Sequence, residues 1–333
     1  MAITRKIQLT GRSTYTISLP RDWVDRMKIE QGDELNILEM EEGNLLISKE
    51  IITRNLEKEV SIDLDEIKKD SLLEKMIISK YLAGYSKITL HSKKEITQKI
   101  GKKISATVNN LIGSEIISEG PKYVEIRDLA LHGEFPIDKA LRRAHLIARN
   151  MQKNAVEDFI ESNSDNVEDI EQREKSVDRL YFLIRREISS ALENPVFLKE
   201  LEMKPREVLY VYPVAKSLEK IADHCESIAH CSLGLGGKNI STKNKEYFLE
   251  YSEKALHIHT KAIQGFLSKK MDLAIEAIKR YENIQEELNS KTLVRKRSED
   301  IDVEVQIQLA ERNLDRICGY GLDIAEMAID RIQ

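Results

Sequence analysis

The chain has 333 residues, of which 41% are hydrophobic and 33% are charged, and its formal net charge is −5. This length exceeds one ordinary domain, and 5% aromatic residues with only 6 prolines favour helical bundles over β-sandwiches. The acidic balance argues against a protein that coats nucleic acid over its whole surface, but it is compatible with a local basic patch.

The cysteines and the hydropathy indicate where the protein works. Cys225, Cys231 and Cys318 form no C-x-x-C pair, which indicates a reducing compartment rather than a disulfide framework. No apolar run approaches about 18 residues, and the first residues, MAITRKIQ, include no apolar signal region. We therefore expect a cytoplasmic protein that does not insert into a membrane.

Residues 1–50 have the pattern of a small β-domain. Residues 6–9 and 15–19 alternate as strands around a turn at 10–13, and Pro20 begins a short helix. Two more strands, at 34–38 and 45–47, flank a turn at 42–44. Four short strands bury too little apolar surface to be stable alone, so we expect a partner subunit.

The segment RKIQLTGRSTYTISLPRDWVDRMKIEQGDELNILEMEEGNLLIS resembles the AbrB/SpoVT-type swapped-hairpin domain over residues 4–49. The resemblance rests on the basic strand, the glycine turn, the S-LP and W positions, GDE and the final hairpin. It implies an intertwined β-barrel dimer that binds DNA, with Arg5, Lys6, Arg12 and Arg21 facing the duplex. Ser13, in the same turn as Arg12, can donate to phosphate oxygens. The alternatives are ordinary solubilising charges or a module that pairs with a protein.

Residues 51–135 predict a small α/β subdomain. The predicted order is βαβαββ, with both helices on one face of the sheet. The strands are at 60–64, 87–90, 115–117 and 123–126, one helix starts at Asp70, and the other spans 96–111. No glycine-rich phosphate loop and no nucleophile signature occurs here. A spacer or dimerisation subdomain is the favoured interpretation, and a small-ligand sensor is the alternative.

From residue 136 onward the sequence predicts six helices in two sets of three. The first set covers 136–162, 166–193 and a third helix from about 205 to a linker at 233–237. The second covers 242–267, 271–294 and a last helix after a cap at 298–300. A seam of alternating three- and four-residue spacing occurs in both sets, which indicates an internal repeat divided into 136–232 and 238–333. Its members are Val211, Val214, Leu218, Ile221, Cys225 and Ile228, matched by Ile307, Ala310, Leu314, Ile317, Gly321 and Ile324.

Two carboxylate pairs with a spacing of four mark the first repeat: Glu174 with Asp178, and Glu219 with Asp223. A spacing of four places both side chains of a pair on one helix face, where they repel each other unless a positive charge lies between them. On antiparallel neighbours the four would converge, and oxygen ligands favour Mg²⁺, Mn²⁺ or iron over Zn²⁺. The alternative is a solvated face whose acids are neutralised by lysines. His224 and His230 fit surface or interhelix positions better than ligand positions.

The repeat ending in LEKIADHCESIA resembles the PhoU family of phosphate-uptake regulators. The resemblance implies two three-helix bundles side by side, with metal ions held by paired E-x-x-x-D motifs. The second repeat departs from that motif, because Gly319 stands where Asp223 would be, and Tyr281 and Gln285 stand where Glu174 and Asp178 would be. A second metal cluster is therefore not expected.

A basic β-module joined to a PhoU-like bundle resembles the archaeal type of phosphate-uptake regulator. This combination implies a multidomain, dimeric transcriptional regulator of phosphate uptake that contacts DNA through its N-terminal module. The alternative is an adaptor that inhibits a phosphate ABC transporter subunit or a signalling kinase by protein contact. No nucleophile or general-base pair accompanies the carboxylates, so we do not expect an enzyme.

Overall fold

The structure is a computed structural model that describes residues 3–40, 43–49, 58–67, 69–129, 136–201, 203–290 and 292–333. The chain divides into two compact units, residues 1–54 and residues 55–333. No helix in the described ranges has the length and apolar character needed to cross a bilayer.

The first unit consists of two separate hairpins and one short helix. Strand β1 (Gln8–Thr10) pairs antiparallel with β2 (Thr14–Thr16), and β3 (Asn36–Glu39) pairs with β4 (Leu45–Ser48). Helix α1 (Arg21–Arg26) follows Pro20, as predicted. None of the described residues of this unit is buried within the single chain. The described part of the first unit therefore has two hairpins but no core of its own within one chain.

The second unit begins with the α/β subdomain, and the predicted βαβαββ order is confirmed. Its elements are β5 (Glu59–Asp63), α2 (Asp70–Leu82), β6 (Lys87–His91), α3 (Gln98–Asn109), β7 (Ser114–Gly120) and β8 (Tyr123–Asp128). The sheet has the order β5-β6-β8-β7, in which β5 and β6 are parallel and the other pairs antiparallel. Apolar side chains of α2 and α3, including Ile77 and Ile104, pack on Leu90 and Ile126 of the sheet.

The rest of the second unit is a helical bundle. Its first set is α4 (Ile137–Glu161), α5 (Val167–Glu193) and α7 (Val208–Leu235), with the short α6 (Pro195–Glu200) before α7. The second set is α8 (Thr242–Ser268), α9 (Met271–Asn289) and α10 (Ile301–Ile332). Asp300 caps α10 as expected, because its side chain accepts from the amides of Asp302 and Val303.

Three details of the helix prediction are wrong. The predicted linker at 233–237 begins too early: α7 continues to Leu235 and ends at Gly236, whose φ of 58° is left-handed. The fifth predicted helix ends at Asn289 rather than 294. The break at Asn194 is real, but a short helix follows at once because the Asn194 side chain caps its first amides.

The predicted seam forms the centre of the bundle. Helix α7 packs against α4, α5 and α10, while α10 packs against α7, α8 and α9, and α4 also contacts α8. All twelve matched seam positions are buried in one continuous core that spans both sets. The hydrophobic contact between repeats therefore runs along the two helices whose sequences repeat.

Helix α5 joins the bundle to the α/β subdomain through a buried arginine. Arg186 is 1% exposed, and its Nη1 donates to the carbonyl oxygens of Tyr81, at 2.6 Å, and Tyr85, at 3.1 Å. Its Nη2 forms an ion pair with Asp128, and its guanidinium lies 4.6 Å from the centroid of the Tyr81 ring. Burial of a guanidinium is tolerated here because most of its donors have partners from the subdomain.

Candidate metal centre and nucleic-acid interface

Helices α5 and α7 lie antiparallel, and their contacts run in register. Near the start of α5, Glu171 Oε1 lies 3.4 Å from Nε2 of His230, close to the end of α7. Just beyond Asp178, the Tyr181 ring centroid lies 4.8 Å from Nζ of Lys216, in the first half of α7. The predicted carboxylates occupy the stretch between these two contacts.

The structure brings three of the four predicted ligands together. Glu174 and Asp178 of α5 and Asp223 of α7 each offer a carboxylate oxygen, and these oxygens all lie within 4.8 Å of one another. The spacing of four sets the first two on one face of α5, and the antiparallel register brings Asp223 opposite them.

Glu219, the fourth predicted ligand, is engaged by two lysines of its own helix. Its Oε1 accepts a hydrogen bond from Lys216 Nζ at 2.7 Å, and its Oε2 lies 3.4 Å from Lys220 Nζ. Glu219 is only 8% exposed, and Oε2 is buried without a hydrogen bond. The charge of this buried oxygen is therefore balanced by the Lys220 ammonium rather than by a hydrogen bond.

The electrostatics of the cluster reflect crowded negative charge. Burial, reinforced by the charges of Asp178, Glu226 and Asp223, raises the pKa of Glu174 to about 8. Burial, followed by the charges of Glu219 and Asp223, raises the pKa of Asp178 to about 6, although nearby lysines oppose that shift. Neighbouring carboxylates in a partly desolvated site disfavour each other's ionised form.

Lys220 is the main cation within the cluster. Its ammonium forms an ion pair with Asp223. Burial lowers the pKa of Lys220, but the hydrogen bond to Asp223 and the charge of Glu219 outweigh burial and hold that pKa above its ordinary value. The lysines of α7 therefore neutralise part of the acid cluster, as the solvated-face alternative expected, and their ion pairs are with Glu219 and Asp223 rather than with Glu174.

A second group extends the cluster along the same seam and was missed from the sequence. Glu171, Glu226 and His230 offer ligand atoms within 4.8 Å of one another. Burial raises the pKa of Glu226, with Glu171 and Asp223 adding to the effect and His230 opposing it. The sequence does contain a signal for this second group, because Glu171 lies three residues before Glu174 and Glu226 lies three residues after Asp223.

The other histidine of α7 has an interhelix position, as the sequence suggested. His224 Nδ1 lies 2.7 Å from Asn313 Oδ1, and its ring stacks on Tyr320. His230, which the sequence also favoured as a surface or interhelix residue, is half-exposed but lies against Glu171.

The second repeat has hydrogen bonds where the first has the acid cluster. Asp315, the counterpart of Glu219, accepts from Gln285 Nε2 at 3.4 Å and from the Tyr251 hydroxyl at 3.3 Å. In the described ranges, both groups with metal-ligand spacing lie in the first repeat. An amide and a phenol satisfy the remaining acid without a cation.

The donor set of the first repeat fits a hard cation. The oxygens of Glu174, Asp178 and Asp223 are the ligand type that Mg²⁺, Mn²⁺ and iron accept, and their proximity leaves uncompensated charge between two helices. The raised pKa values of Glu174 and Asp178 reflect the part of that negative charge that the lysines of α7 do not neutralise.

The predicted DNA-facing residues are all exposed. Arg5 and Lys6 precede β1, and Arg12 and Ser13 occupy the turn between β1 and β2. Arg21 begins α1, and its Nε lies 3.7 Å from Oδ2 of Asp25 with 91% of the Arg21 side chain exposed. Such an exposed pair contributes little to stability, so Arg21 remains available to an outside anion.

Comparison with known proteins identifies two regions of the chain. Residues 141–232 match the family model for the PhoU domain, and residues 8–53 match the model described as antidote-toxin recognition MazE, bacterial antitoxin. Among solved structures, PhoU from Pseudomonas aeruginosa is similar at 18% identity with a TM-score of 0.46, covering 58% of this chain and 93% of that one. The search of curated proteins found no match. The chain therefore carries a PhoU domain in its first helical repeat and a MazE/AbrB-type domain at its N-terminus.

Proposed function

We propose that this protein is a cytoplasmic, dimeric, non-enzymatic regulator of phosphate homeostasis that binds DNA through residues 8–53. One observation carries the proposal: the same chain contains a PhoU domain and a MazE/AbrB-type module with exposed basic residues. Up to residue 28, six basic residues stand against only Asp22 and Asp25, so this first part of the chain has a local positive charge although the whole chain is acidic.

Dimerisation is supported by the lack of a core in the first unit. Many of its large apolar side chains are exposed, including Ile7 at 67%, Leu9 at 58% and Tyr15 at 74%. A second copy that interleaves its hairpins with these would bury those side chains and pair the free strand edges. The dimer would also present two copies of Arg5, Lys6, Arg12, Ser13 and Arg21 to the duplex.

In the proposed metal centre, Glu174, Asp178 and Asp223 would hold the ion, and Glu219 could join them by exchanging its contact with Lys220 for the ion. A bound Mg²⁺, Mn²⁺ or iron ion supplies positive charge that cancels the repulsion among these carboxylates and links α5 to α7. The chain's own residues fix the site by helix register and by the lysines that hold Asp223 and Glu219.

The test is salt-dependent DNA binding by the full chain, with genomic fragments recovered at high and low phosphate. We expect Arg12→Ala to weaken binding and to make the plot of log affinity against log salt shallower by about 1 per protein copy, because one phosphate contact is lost. Lys243→Ala, an exposed substitution on α8, is the matched control and should change neither quantity.

The outcome also separates this proposal from the adaptor alternative. If Arg12→Ala leaves both affinity and salt dependence unchanged, the assignment of the turn to DNA is wrong. If the wild-type chain shows no DNA retention at low salt, the protein acts instead by contact with a phosphate ABC transporter subunit or a signalling kinase.

A further inference from the structure

Beyond the acid cluster, the shared surface of α5 and α7 carries a cation held between two aromatic rings. The guanidinium carbon of Arg185 lies 5.5 Å from the ring centroid of Tyr181 on α5 and 5.5 Å from that of Tyr212 on α7. The centroids of the two rings are 6.4 Å apart. Because both rings contact the same planar group, they restrict the orientation of the guanidinium before any partner arrives.

Arg185 differs from the cations around it in having no acid. Within the part of the chain that the structure describes, its contacts are with the two rings and not with a carboxylate. By contrast, Lys216 pairs with Glu219 at 2.7 Å, and Arg186 pairs with Asp128. A ring takes up the face of a guanidinium but not its N–H donors, which lie in the plane. Arg185 therefore keeps donors available to an acid from outside the chain.

Large apolar side chains are exposed beside this arginine. Leu209 is 68% exposed, Leu192 is 57% exposed and Tyr212 is 39% exposed. Leu209 lies three residues before Tyr212, and Leu192 lies seven residues after Arg185, so each leucine shares a helix face with one of that pair. Since α5 and α7 are antiparallel and Arg185 faces Tyr212, the two leucines lie opposite each other, about 10 Å along the axis from Arg185.

The acids next to these leucines in sequence are already engaged. Glu193, which follows Leu192, forms an ion pair with Lys58. Glu207, two residues before Leu209, lies 3.1 Å from Nη2 of Arg331. The charge that this surface offers to a partner is therefore positive and belongs to Arg185. Exposed leucines beside a tyrosine and an arginine have the composition of a protein interaction site.

We propose that the α5–α7 face, formed by Arg185, Leu192, Leu209 and Tyr212, docks an amphipathic helix of another protein. This helix carries an acidic residue that binds Arg185 and, two turns away, a leucine-type residue that packs on Leu192 and Leu209. Two adjacent helices leave a groove into which the side chains of a third helix fit. The inference goes beyond the proposed function, because this surface requires neither DNA nor the metal centre.

A protein fits this face better than a nucleic acid does. Phosphates would use Arg185, but they offer nothing to two leucines that are more than half-exposed. Aromatic residues and arginine, in contrast, are the side chains that most often dominate the binding energy of protein interfaces. A helix with one acid and one apolar anchor satisfies the cation and covers both leucines at once.

The experiment is selection of displayed peptides against the full chain. The library is a helix-forming peptide of about 18 residues with one face randomised, so that no natural partner has to be known. We expect the enriched peptides to carry Asp or Glu about seven positions from Leu, Ile, Met or Phe, which matches the separation of Arg185 from Leu192. Fluorescence anisotropy of the enriched peptides then measures their affinity.

Variants of the chain show whether the peptides bind at this face. Arg185→Met should weaken binding at least about tenfold, since a charge-assisted hydrogen bond is lost. Leu209→Ala should also weaken it, and this substitution cannot disturb a core because the side chain is 68% exposed. The matched controls lie on α4, where Arg143 is exposed and Leu146 is 54% exposed. Arg143→Met and Leu146→Ala should bind the peptides as the wild type does.

A charge exchange separates direct contact from a structural role of Arg185. A peptide whose acid is replaced by lysine should bind Arg185→Glu more tightly than it binds the wild type. An arginine that only supported the two tyrosines would give no such recovery, and that result would contradict the proposal.

Other outcomes would also overturn it. Selection that yields no shared pattern of acid and apolar residue, or peptides that bind Arg185→Met and Leu209→Ala normally, would exclude the face as their site. A lower solution mass of the Leu209→Ala chain would mean that a second copy covers the leucines instead. Weaker DNA retention by Arg185→Met would assign this face to nucleic acid rather than to a protein.

Discussion

Glu174 lies half-buried between α5 and α7, where the carboxylates of Asp178 and Asp223 approach it. Lys216 and Lys220 of α7 form ion pairs with Glu219 and Asp223 instead. Its raised pKa follows from that position, because burial and like charge both favour the protonated form. A residue in this state has two ways to lose its electrostatic penalty, which are to keep a proton or to bind a cation. The same side chain therefore reports on proton concentration and on metal.

The metal-free protein should lose stability as the pH rises. Glu174 and Asp178 have folded pKa values of about 8 and about 6, above the ordinary values of 4.5 and 3.8 that the unfolded chain would show. The folded state therefore binds more protons between about pH 4 and 8, and its stability falls across that interval as pH increases. Melting temperatures measured in chelator across this range should show a decline that is smaller in Glu174→Gln.

The same variant should lose its response to metal. Adding Mn²⁺ at neutral pH should raise the melting temperature of the wild type and raise that of Glu174→Gln much less, because an amide cannot supply the lost charge. Glu282→Gln, an exposed acid on α9, is the control and should respond to Mn²⁺ as the wild type does. Equal stabilisation of all three proteins would show that the cluster is not the metal site.

The sequence predicted these individual side chains only where spacing within one helix reveals them. Glu174 and Asp178 are visible as a pair, but the contribution of Glu171 depends on which residues of α7 lie opposite, which requires the register between helices.

Among the secondary-structure elements, α10 contains two glycines that depart from the first repeat for different reasons. Gly321 occupies the seam position of Cys225, and a Cβ there would lie 2.7 Å from Ile258 Cγ2 and 3.2 Å from the backbone nitrogen of His259. Gly319 occupies the position of Asp223, and a Cβ there would meet nothing within 4 Å. Gly321 therefore permits the close approach of α10 to α8, whereas Gly319 simply lacks the acid.

These two positions predict opposite effects of one substitution. Gly321→Ala should lower the free energy of unfolding by about 1–3 kcal/mol, because the added methyl group overpacks a helix interface. Gly319→Ala should raise it by about 0.5–1 kcal/mol, because alanine favours a helix more than glycine does and has open space here. Chemical denaturation of both variants checks the pair, and a stabilising Gly321→Ala would contradict the packing of α10 on α8.

Element type was predictable because the helices of the bundle are long and strongly periodic, and the seam positions that repeat are the ones that become buried. The ends of the elements were less predictable than their type. Residues 233–235 contain a glycine that suggests a linker, yet Gly234 stays helical and Gly236 ends α7, since the core contact of Leu235 extends the helix. Helix α6 was missed because six residues are too few for periodicity to show.

For the molecule as a whole, the two units differ in how they bury apolar surface. The second has a continuous core through its bundle and another beneath its sheet, while the described part of the first has no buried side chain. This contrast was predicted in outline from the shortness of the four N-terminal strands.

Disruption of the first unit should change the oligomeric state and leave the second unit folded. Leu9→Asp places a charge on an exposed apolar strand position that the proposed dimer would bury, so the mass in solution should fall from that of two chains to that of one. Light scattering measures the mass, and far-ultraviolet circular dichroism should show the helices retained. Ile301→Asp, at a 79% exposed position of α10, should leave the mass unchanged. A Leu9→Asp dimer would mean that the bundle, not the hairpins, joins the copies.

Besides the carboxylates of the acid cluster, α5 carries Arg186, which attaches it to the α/β subdomain. It lies twelve residues after Glu174, which is about 18 Å along the helix axis, and its guanidinium is gripped by two carbonyl groups and an acid of the sheet subdomain. A rigid helix that is held at two points transmits a displacement from one point to the other. A displacement of α5 at the acid cluster must therefore move the four-stranded sheet as well, or break the contacts of Arg186.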